Sequence, residues 1–290
     1  MTHVFIAGCG DIGRRVALEY LAEGAKVTAL LRSPEKGSEL ETLGLRTVIA
    51  DLDDPATLTG LPLAGAILFY FAPPPGGGHL EPRVQNFCEA MAPGNQPSRV
   101  IYMSTSGVYG DCGELTVTED TPAIPQTARG KRRLHGEALF REWGKERNIP
   151  VVILRVTGIY GPGRLPVSQL TGGQPVLDEG IANLTNRIHA DDLVEVCRAA
   201  ARQGEGGDIY NVSDGHPTTM TDYFNAAADF LGLPRPRQVS WEEAREVMSP
   251  LMLSYVAESR RMDNRKMREK LGIILRYPTL AQGIKACGQQ

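Results

Sequence analysis

Gly8, Gly10 and Gly13 stand directly after a short apolar run, Val4 to Ala7, and directly before a helical pattern. Each spacing has a chemical use. Gly8 lets the chain turn tightly, Gly10 lets backbone approach a pyrophosphate, and Gly13 lets a helix pack close to its strand. The helix start adds unpaired N–H groups and a partial positive charge, which together favour a phosphate. With Cys9, Asp11 and Ile12 between the glycines, the segment reads as the cradle of a dinucleotide cofactor. Cys9 itself reads as a small residue that fits the turn, with a thiol activated by the helix start as the alternative.

The next signals concern which nicotinamide cofactor is held. An NAD site usually ends its second strand in a carboxylate, about 20 residues beyond the glycines. Here Leu31 is followed by Arg32 and Ser33. A guanidinium matches a phosphate bidentately, so these two residues suit a 2′-phosphate, and NADP(H) is expected over NAD(H). Asp51 can accept from the adenine amino group while Leu52 packs on the ring. Phe71, Ala72 and Pro73 after the fourth strand, and Ser104 on the fifth, complete the rim expected to face the cofactor.

These residues need a frame. Short aliphatic or β-branched runs at 27–31, 47–50, 66–71, 100–104 and 151–156 alternate with helical patterns at 11–23, 34–43, 80–91 and 129–147. Such alternation predicts an α/β fold, a Rossmann-type doubly wound parallel sheet with helices on both faces. After 160 the texture turns rich in Gly and Pro, with helices expected near 191–202, 219–231, 241–248 and 263–271 and a strand at 208–212. The expected division is a Rossmann domain over 1–160, with segments near 184–215 returning to it. A smaller, mostly helical substrate-binding domain would occupy 161–290.

The 290 residues carry a net charge of −3, which argues against a nucleic-acid or membrane-surface partner. No apolar stretch is long enough to span a bilayer. The five cysteines are scattered with no CxxC pair, which suits reduced thiols in a cytoplasmic protein. No His/Cys/Asp cluster has metal-ligand spacing, so no metal is expected.

Several further segments resemble one family when taken in order. They are Met103-Ser-Thr-Ser-Gly-Val-Tyr-Gly110, Leu154-Arg155, Tyr160-Gly-Pro-Gly163, Arg187-Ile-His-Ala-Asp-Asp-Leu193, Tyr210-Asn-Val-Ser-Asp-Gly215 and Met262-Asp-Asn-x-Lys266. With the glycine loop and Asp51-Leu52, they are similar to the extended short-chain dehydrogenase/reductases, the NAD-dependent epimerase/dehydratase type. The resemblance runs almost end to end. It implies a Rossmann domain, a small substrate domain, a nicotinamide cofactor, a small-molecule substrate and a homodimer through helix faces near 80–91 and 129–147.

The family's chemistry uses a Ser or Thr after the fifth strand and a Tyr-x-x-x-Lys pair on the next long helix. Thr105 falls at the hydroxyl position. The family pattern Tyr-Gly-x-x-Lys-x-x-x-Glu overlays Arg129-Gly130-x-x-Arg133-x-x-x-Glu137, so arginines take both places; a shifted overlay, Thr127-x-x-x-Lys131, misaligns the glycine and glutamate. An arginine keeps its proton up to a pKa above about 12 and cannot shuttle it near neutral pH. Residues four apart share a helix face, so Arg129 and Arg133 should both point at the nicotinamide end, one to clamp an anion and one to hold ribose. Lys131 and Arg132 read as a solvated face.

The remaining candidates to touch substrate are His79, Ser106, Tyr109 and Tyr160. His79 follows the loop after the fourth strand, and the two tyrosines follow sheet strands. The expectation is an NADP(H)-dependent oxidoreductase acting on a small anionic carbonyl or alcohol. The alternatives are a catalytically inactive NADP(H)-binding regulator and a non-redox lyase or isomerase using the same pocket.

Overall fold

Side chains along the strands alternate between two separate cores: Val4 and Ile6 enter one, Phe5 and Ala7 the other. That period of two with both faces apolar is what a sheet covered on both sides requires. The computed structural model describes residues 1–288. Its first part runs β1 (His3–Ala7), α1 (Asp11–Ala22), β2 (Lys26–Leu31), α2 (Pro34–Thr42), β3 (Arg46–Ile49), β4 (Ile67–Tyr70), α3 (Pro82–Ala90), β5 (Arg99–Thr105), β6 (Thr116–Val117), α4 (Ala128–Arg147) and β7 (Val151–Val156). A 3₁₀ turn at Ser106–Tyr109 follows β5.

The second part is more broken. It holds β8 (Gly158–Tyr160), α5 (Val167–Thr171), β9 (Val176–Leu177), β10 (Leu184–Thr185), β11 (Arg187–His189), α6 (Ala190–Gln203), β12 (Ile209–Val212), β13 (Thr218–Thr219), α7 (Met220–Leu231), β14 (Gln238–Val239), α8 (Trp241–Val247), α9 (Pro250–Val256), β15 (Arg261–Met262), α10 (Arg265–Lys270) and α11 (Leu280–Ala286).

The main sheet has seven parallel strands in the order β3-β2-β1-β4-β5-β7-β12. Strand order reverses between β1 and β4, and in open α/β sheets that crevice is where ligands bind. α1 and α6 cover one face, while α3 and α4 cover the other. The strand expected at 208–212 is thus an edge of the main sheet, beside β7, and α6 packs on the same sheet. The chain returns once more at β15, which pairs with β6. Helices α5, α9 and α11 were not anticipated, nor were the two-stranded pairs of the second part.

One buried ion pair ties α4 to the sheet. Glu137 on α4 accepts from Arg155 of β7 at 3.1 and 2.8 Å, and Ser104 of β5 donates to the same carboxylate at 2.5 Å. Burial alone would lower the pKa of Arg155, but the hydrogen bonds and charge of Glu137 outweigh it and raise it. Glu137→Gln should therefore cost about 3–5 kcal/mol, because it strands a buried guanidinium. Denaturant unfolding reads this, and the double change Glu137→Leu/Arg155→Met should recover most of the loss. A single variant as stable as the parent would remove the pair from any structural role.

A second buried acid works against stability. Asp214, just past β12, accepts from His216 N at 2.9 Å, while its Oδ2 has no partner. Burial pushes its pKa up to about 6, against an ordinary 3.8. The folded state therefore holds a proton that the unfolded state has lost. The associated stability is complete below the ordinary value and disappears as pH rises through about 6. Asp214→Asn should stabilise the fold by about 3 kcal/mol at pH 8 and by little at pH 4. Melting curves across that range check it; a gain independent of pH would contradict the assignment.

Candidate active site

The glycine loop is shaped as much by β4 as by its own turn. Gly8 has φ +93°, and a Cβ there would lie 2.4 Å from Ala72 N. The backbone N–H groups of Phe71 and Ala72 both donate to Ala7 O, at 2.8 and 3.0 Å, which brings the two loops into contact. Gly13 is the close helix–strand contact: its Cβ would meet Gly8 O at 2.9 Å. Gly10 differs, with open space beyond its α-carbon, and α1 has no side-chain cap. The donors of the first turn thus face an open cradle, as a pyrophosphate needs. Cys9 is no nucleophile, since burial pushes its thiol up to about 12.

Arg32 lies exposed just past the end of β2, outside any ion pair among the described residues. Ser33 is engaged locally: it caps α2 by accepting from Lys36 N at 3.4 Å and donates to Glu35 at 2.5 Å. Glu35 is a carboxylate that the sequence reading did not weigh. The Asp51-Leu52 turn is held from α3, where Asn86 donates to Leu52 O at 2.9 Å and Arg83 pairs with Asp53. Asp51 Oδ1 accepts from Asp53 N at 3.0 Å, and Leu52 is buried.

A cleft of about 560 Å³ opens at the C-terminal ends of β4, β5 and β7. Its wall brings together Pro73, Ser104, Thr105, Ser106, Arg129, Arg133 and Tyr160. The Thr105 hydroxyl accepts from Gly107 N at 3.2 Å. Helix α4 begins directly on this turn because Gly130 permits it: a Cβ there would lie 2.6 Å from Gly107 O. Thr127 caps the helix by accepting from Gly130 N at 3.2 Å. Arg133 donates to Ala72 O at 3.1 Å, linking α4 to the glycine-loop contact. Arg129, one turn earlier, stacks its guanidinium 4.1 Å from the ring centre of Tyr255 on α9.

The cleft is strongly basic. Arg129, Arg132, Arg133, Arg164, Arg187 and Arg260 all line it, and the one carboxylate in the wall, Glu258, is paired with Arg260. Arg187 is almost fully buried, so burial draws its pKa down to about 10. It donates to Thr218 Oγ1 at 2.7 Å and lies over the Tyr223 ring, with no carboxylate within ion-pair distance among the described residues.

Two expected substrate contacts fall elsewhere. Tyr109 is sealed under the cleft floor, where its hydroxyl donates to Asn211 Oδ1 at 2.7 Å and Arg155 stacks on its ring. Its place just past the strand end put it in reach, but the 3₁₀ turn rotates it inward. His79 is exposed and outside the cleft wall. Arg132 replaces it as the active member of that region: far from being a solvated face, it donates to Gly77 O and Gly78 O at 2.9 and 2.8 Å and fixes the loop. Tyr160 is in the wall, but its hydroxyl donates to Thr279 O at 3.3 Å. Arg164, Arg187 and Tyr255 were missed as site residues; the local signals were the Gly161-Pro-Gly-Arg164 turn and the segment that begins at Arg187.

Comparison with known proteins agrees with this geometry. Residues 83–213 match the model of the NAD dependent epimerase/dehydratase family, and residues 4–72 match that of the TrkA-N domain. Protein YeeZ of Escherichia coli is 29% identical over 250 residues, covering 82% of this chain and 86% of its own. A conserved protein of unknown function from Silicibacter pomeroyi superposes with a TM-score of 0.81 at 28% identity, over 100% of this chain and 99% of that one. The dTDP-glucose 4,6-dehydratase of Bacillus anthracis, solved with NAD, gives 0.78 at 17% identity over 100% and 96%, a likeness of fold. The strand order, the glycine cradle and the matched central segment converge: residues 83–213 carry the match to the NAD dependent epimerase/dehydratase family, and the whole chain shares the fold of its solved neighbours.

Proposed function

We propose that this chain is an NADP(H)-dependent oxidoreductase acting on a small anionic carbonyl or alcohol substrate. One observation carries the reading: Arg187 is a buried cation in the cleft wall with no carboxylate within ion-pair distance among the described residues. Asp214 and Asp222 act on it only from farther away. A buried charge is costly unless it is paired, so a ligand anion is its natural complement. The open cradle at Gly10 and the uncapped start of α1 suit the cofactor's pyrophosphate, and Arg32 suits a 2′-phosphate. Glu35 lies close by on Ser33, so the preference for the phosphorylated cofactor rests on Arg32 outweighing it.

In this reading the nicotinamide, when bound, supplies or takes up a hydride. The protein's part is to position and to handle the proton. Thr105 and Ser106 orient the substrate oxygen, Arg129 binds its anionic group, and Arg133, already anchored on Ala72 O, holds ribose hydroxyls. Neither arginine gives up a proton. The hydroxyls of Tyr160 and Tyr223 are spent on the carbonyls of Thr279 and Arg164. Tyr255, beside Arg129 in the same wall, is the phenol left to carry the proton.

A second reading, a catalytically inactive NADP(H)-binding regulator, is favoured by the absence of His, Lys and Asp from the cleft wall among the described residues. Turnover separates the two. The reading also carries a cytoplasmic protein, and a homodimer through the outer faces of α3 and α4, which light scattering would measure.

Calorimetric titration with NADP⁺, NADPH, NAD⁺ and NADH should show preference for the phosphorylated pair. Arg32→Glu should abolish that preference, through loss of about 1.5–3 kcal/mol of charged hydrogen bonding; equal binding of all four by the parent would sink the NADP assignment. NADPH oxidation against a panel of 2-oxo acids and phosphorylated aldehydes should then identify turnover that falls at least about 100-fold in Arg129→Ala. Full activity in that variant would remove Arg129 from the mechanism, and no turnover across the panel with cofactor bound would favour the regulator.

A further inference from the structure

Asp11 introduces a difficulty into the cofactor site. It occupies the first turn of α1, one residue past Gly10, where its carboxylate suits the helix dipole but opposes a pyrophosphate. Two arginines answer it. Arg15 donates Nε to Asp11 at 3.0 Å, Nη1 to Asp191 at 2.9 Å and Nη2 to Pro162 O at 3.0 Å, so its fork is fully engaged. Arg164 differs. It donates Nη1 to the other Asp11 oxygen at 3.0 Å, while its Nε is buried without a partner.

Arg164 is also set up from the opposite side. It ends a turn in which Gly161 and Gly163 both adopt positive φ, and its N–H donates to Gly161 O at 3.0 Å. Its own carbonyl accepts from Tyr223 of α7 at 3.2 Å, and the residue lines the central cleft. The backbone of Arg164 is therefore held by the second part of the chain, while its side chain reaches the glycine loop.

We infer that Arg164 is a cofactor-binding residue that closes over the dinucleotide pyrophosphate from across the cleft, with Asp11 as the acid that parks it there. The inference rests on the reading of the glycine loop as a dinucleotide site. A planar fork can hold one carboxylate oxygen and still present N–H groups to a phosphate. Binding of the dinucleotide then exchanges Asp11 for a pyrophosphate oxygen, or shares the guanidinium between them. Either way, cofactor occupancy is coupled, through the bond from Tyr223 to Arg164 O, to the α7 wall of the cleft.

The two partners must respond in opposite directions, which separates a binding role from a scaffolding one. Wild type, Arg164→Gln, Arg164→Lys and Asp11→Asn are titrated calorimetrically with NADP⁺ and NAD⁺, with melting curves taken without nucleotide. Arg164→Gln should weaken the preferred dinucleotide about tenfold or more, and Arg164→Lys should restore part of the loss. Asp11→Asn should leave affinity unchanged or tighten it, because it removes a negative charge and frees the fork. The turn retains its anchors through Arg15 and Tyr223, so each variant should fold. Binding by Arg164→Gln equal to wild type would overturn the inference, as would a loss in Asp11→Asn matching that in Arg164→Gln. Failure of wild type to bind either dinucleotide would instead refute the cofactor reading itself, and this inference with it.

Discussion

The cleft depends on one buried ion pair. Arg129, Arg133 and Glu137 sit on a single stripe of α4 at intervals of four, and only Glu137 reaches the interior. There it meets Arg155 of β7 and Ser104 of β5, so the helix is keyed in both rotation and height to the two strands whose ends form the cleft floor. Hydrophobic packing by Phe140 and Trp143 presses α4 onto the sheet but is indifferent to small slides. A directional, fully desolvated pair is not. Through it the position of Arg133 on Ala72 O follows, and Ala72 in turn is the residue against which Gly8 packs. The substrate end and the phosphate end of the site thus share one mechanical reference.

That reference also explains why glycine recurs where elements touch. Gly8 against Ala72, Gly13 against Gly8 O and Gly130 against Gly107 O each replace a side chain by direct backbone contact. Three loops and two helix starts are thereby brought within a few ångströms around the strand crossover between β1 and β4. No favourable contact energy needs to be assigned to the glycines themselves; they remove a steric exclusion. The cost is greater backbone entropy in the unfolded chain, which burial in the two cores must offset.

Much of this was legible in sequence, and the limits have physical causes. The strands of the main sheet are short apolar runs separated by strong helix signals, so their existence and order followed from periodicity, with ends displaced by about a residue. Helix α9 was missed because seven residues with apolar side chains on most faces give no amphipathic period, although Ser249 and Pro250 are a legitimate start signal. The glycine cradle was legible because its chemistry is local. The basic cleft was not: Arg164, Arg187 and Arg260 lie far apart in sequence, and only the return of the chain after β7 brings them to one wall. Tyr109 and His79 failed for a related reason. Proximity to a strand end fixes where a residue is, but the turn after β5 decides which way its side chain faces, and that rotation has no simple sequence mark.

In the overlay on the family pattern, Arg129 and Arg133 fall where the resemblance expects a tyrosine and a lysine, and that difference bears on what the helix can do. A tyrosine beside a lysine combines proton transfer with electrostatic support in one segment. Two arginines retain the support and lose the transfer, since neither guanidinium releases a proton at neutral pH. In the proposed reading the cleft wall separates these tasks in space. Positive charge lies on α4 and on the strands and turns facing it, whereas the hydroxyls come from β5 and the turn after it, from Thr157, Tyr160 and Thr185, and from Tyr223 and Tyr255. The stack of Arg129 on Tyr255 bridges α4 and the far wall. A cation held over an aromatic face is stabilised most where water is excluded, so that contact strengthens as the cleft is covered. In the proposed reading, charge on the helix and the Tyr255 hydroxyl on the opposite wall act as a pair only when the wall is in place, which would tie that chemistry to the packing of the second part of the chain.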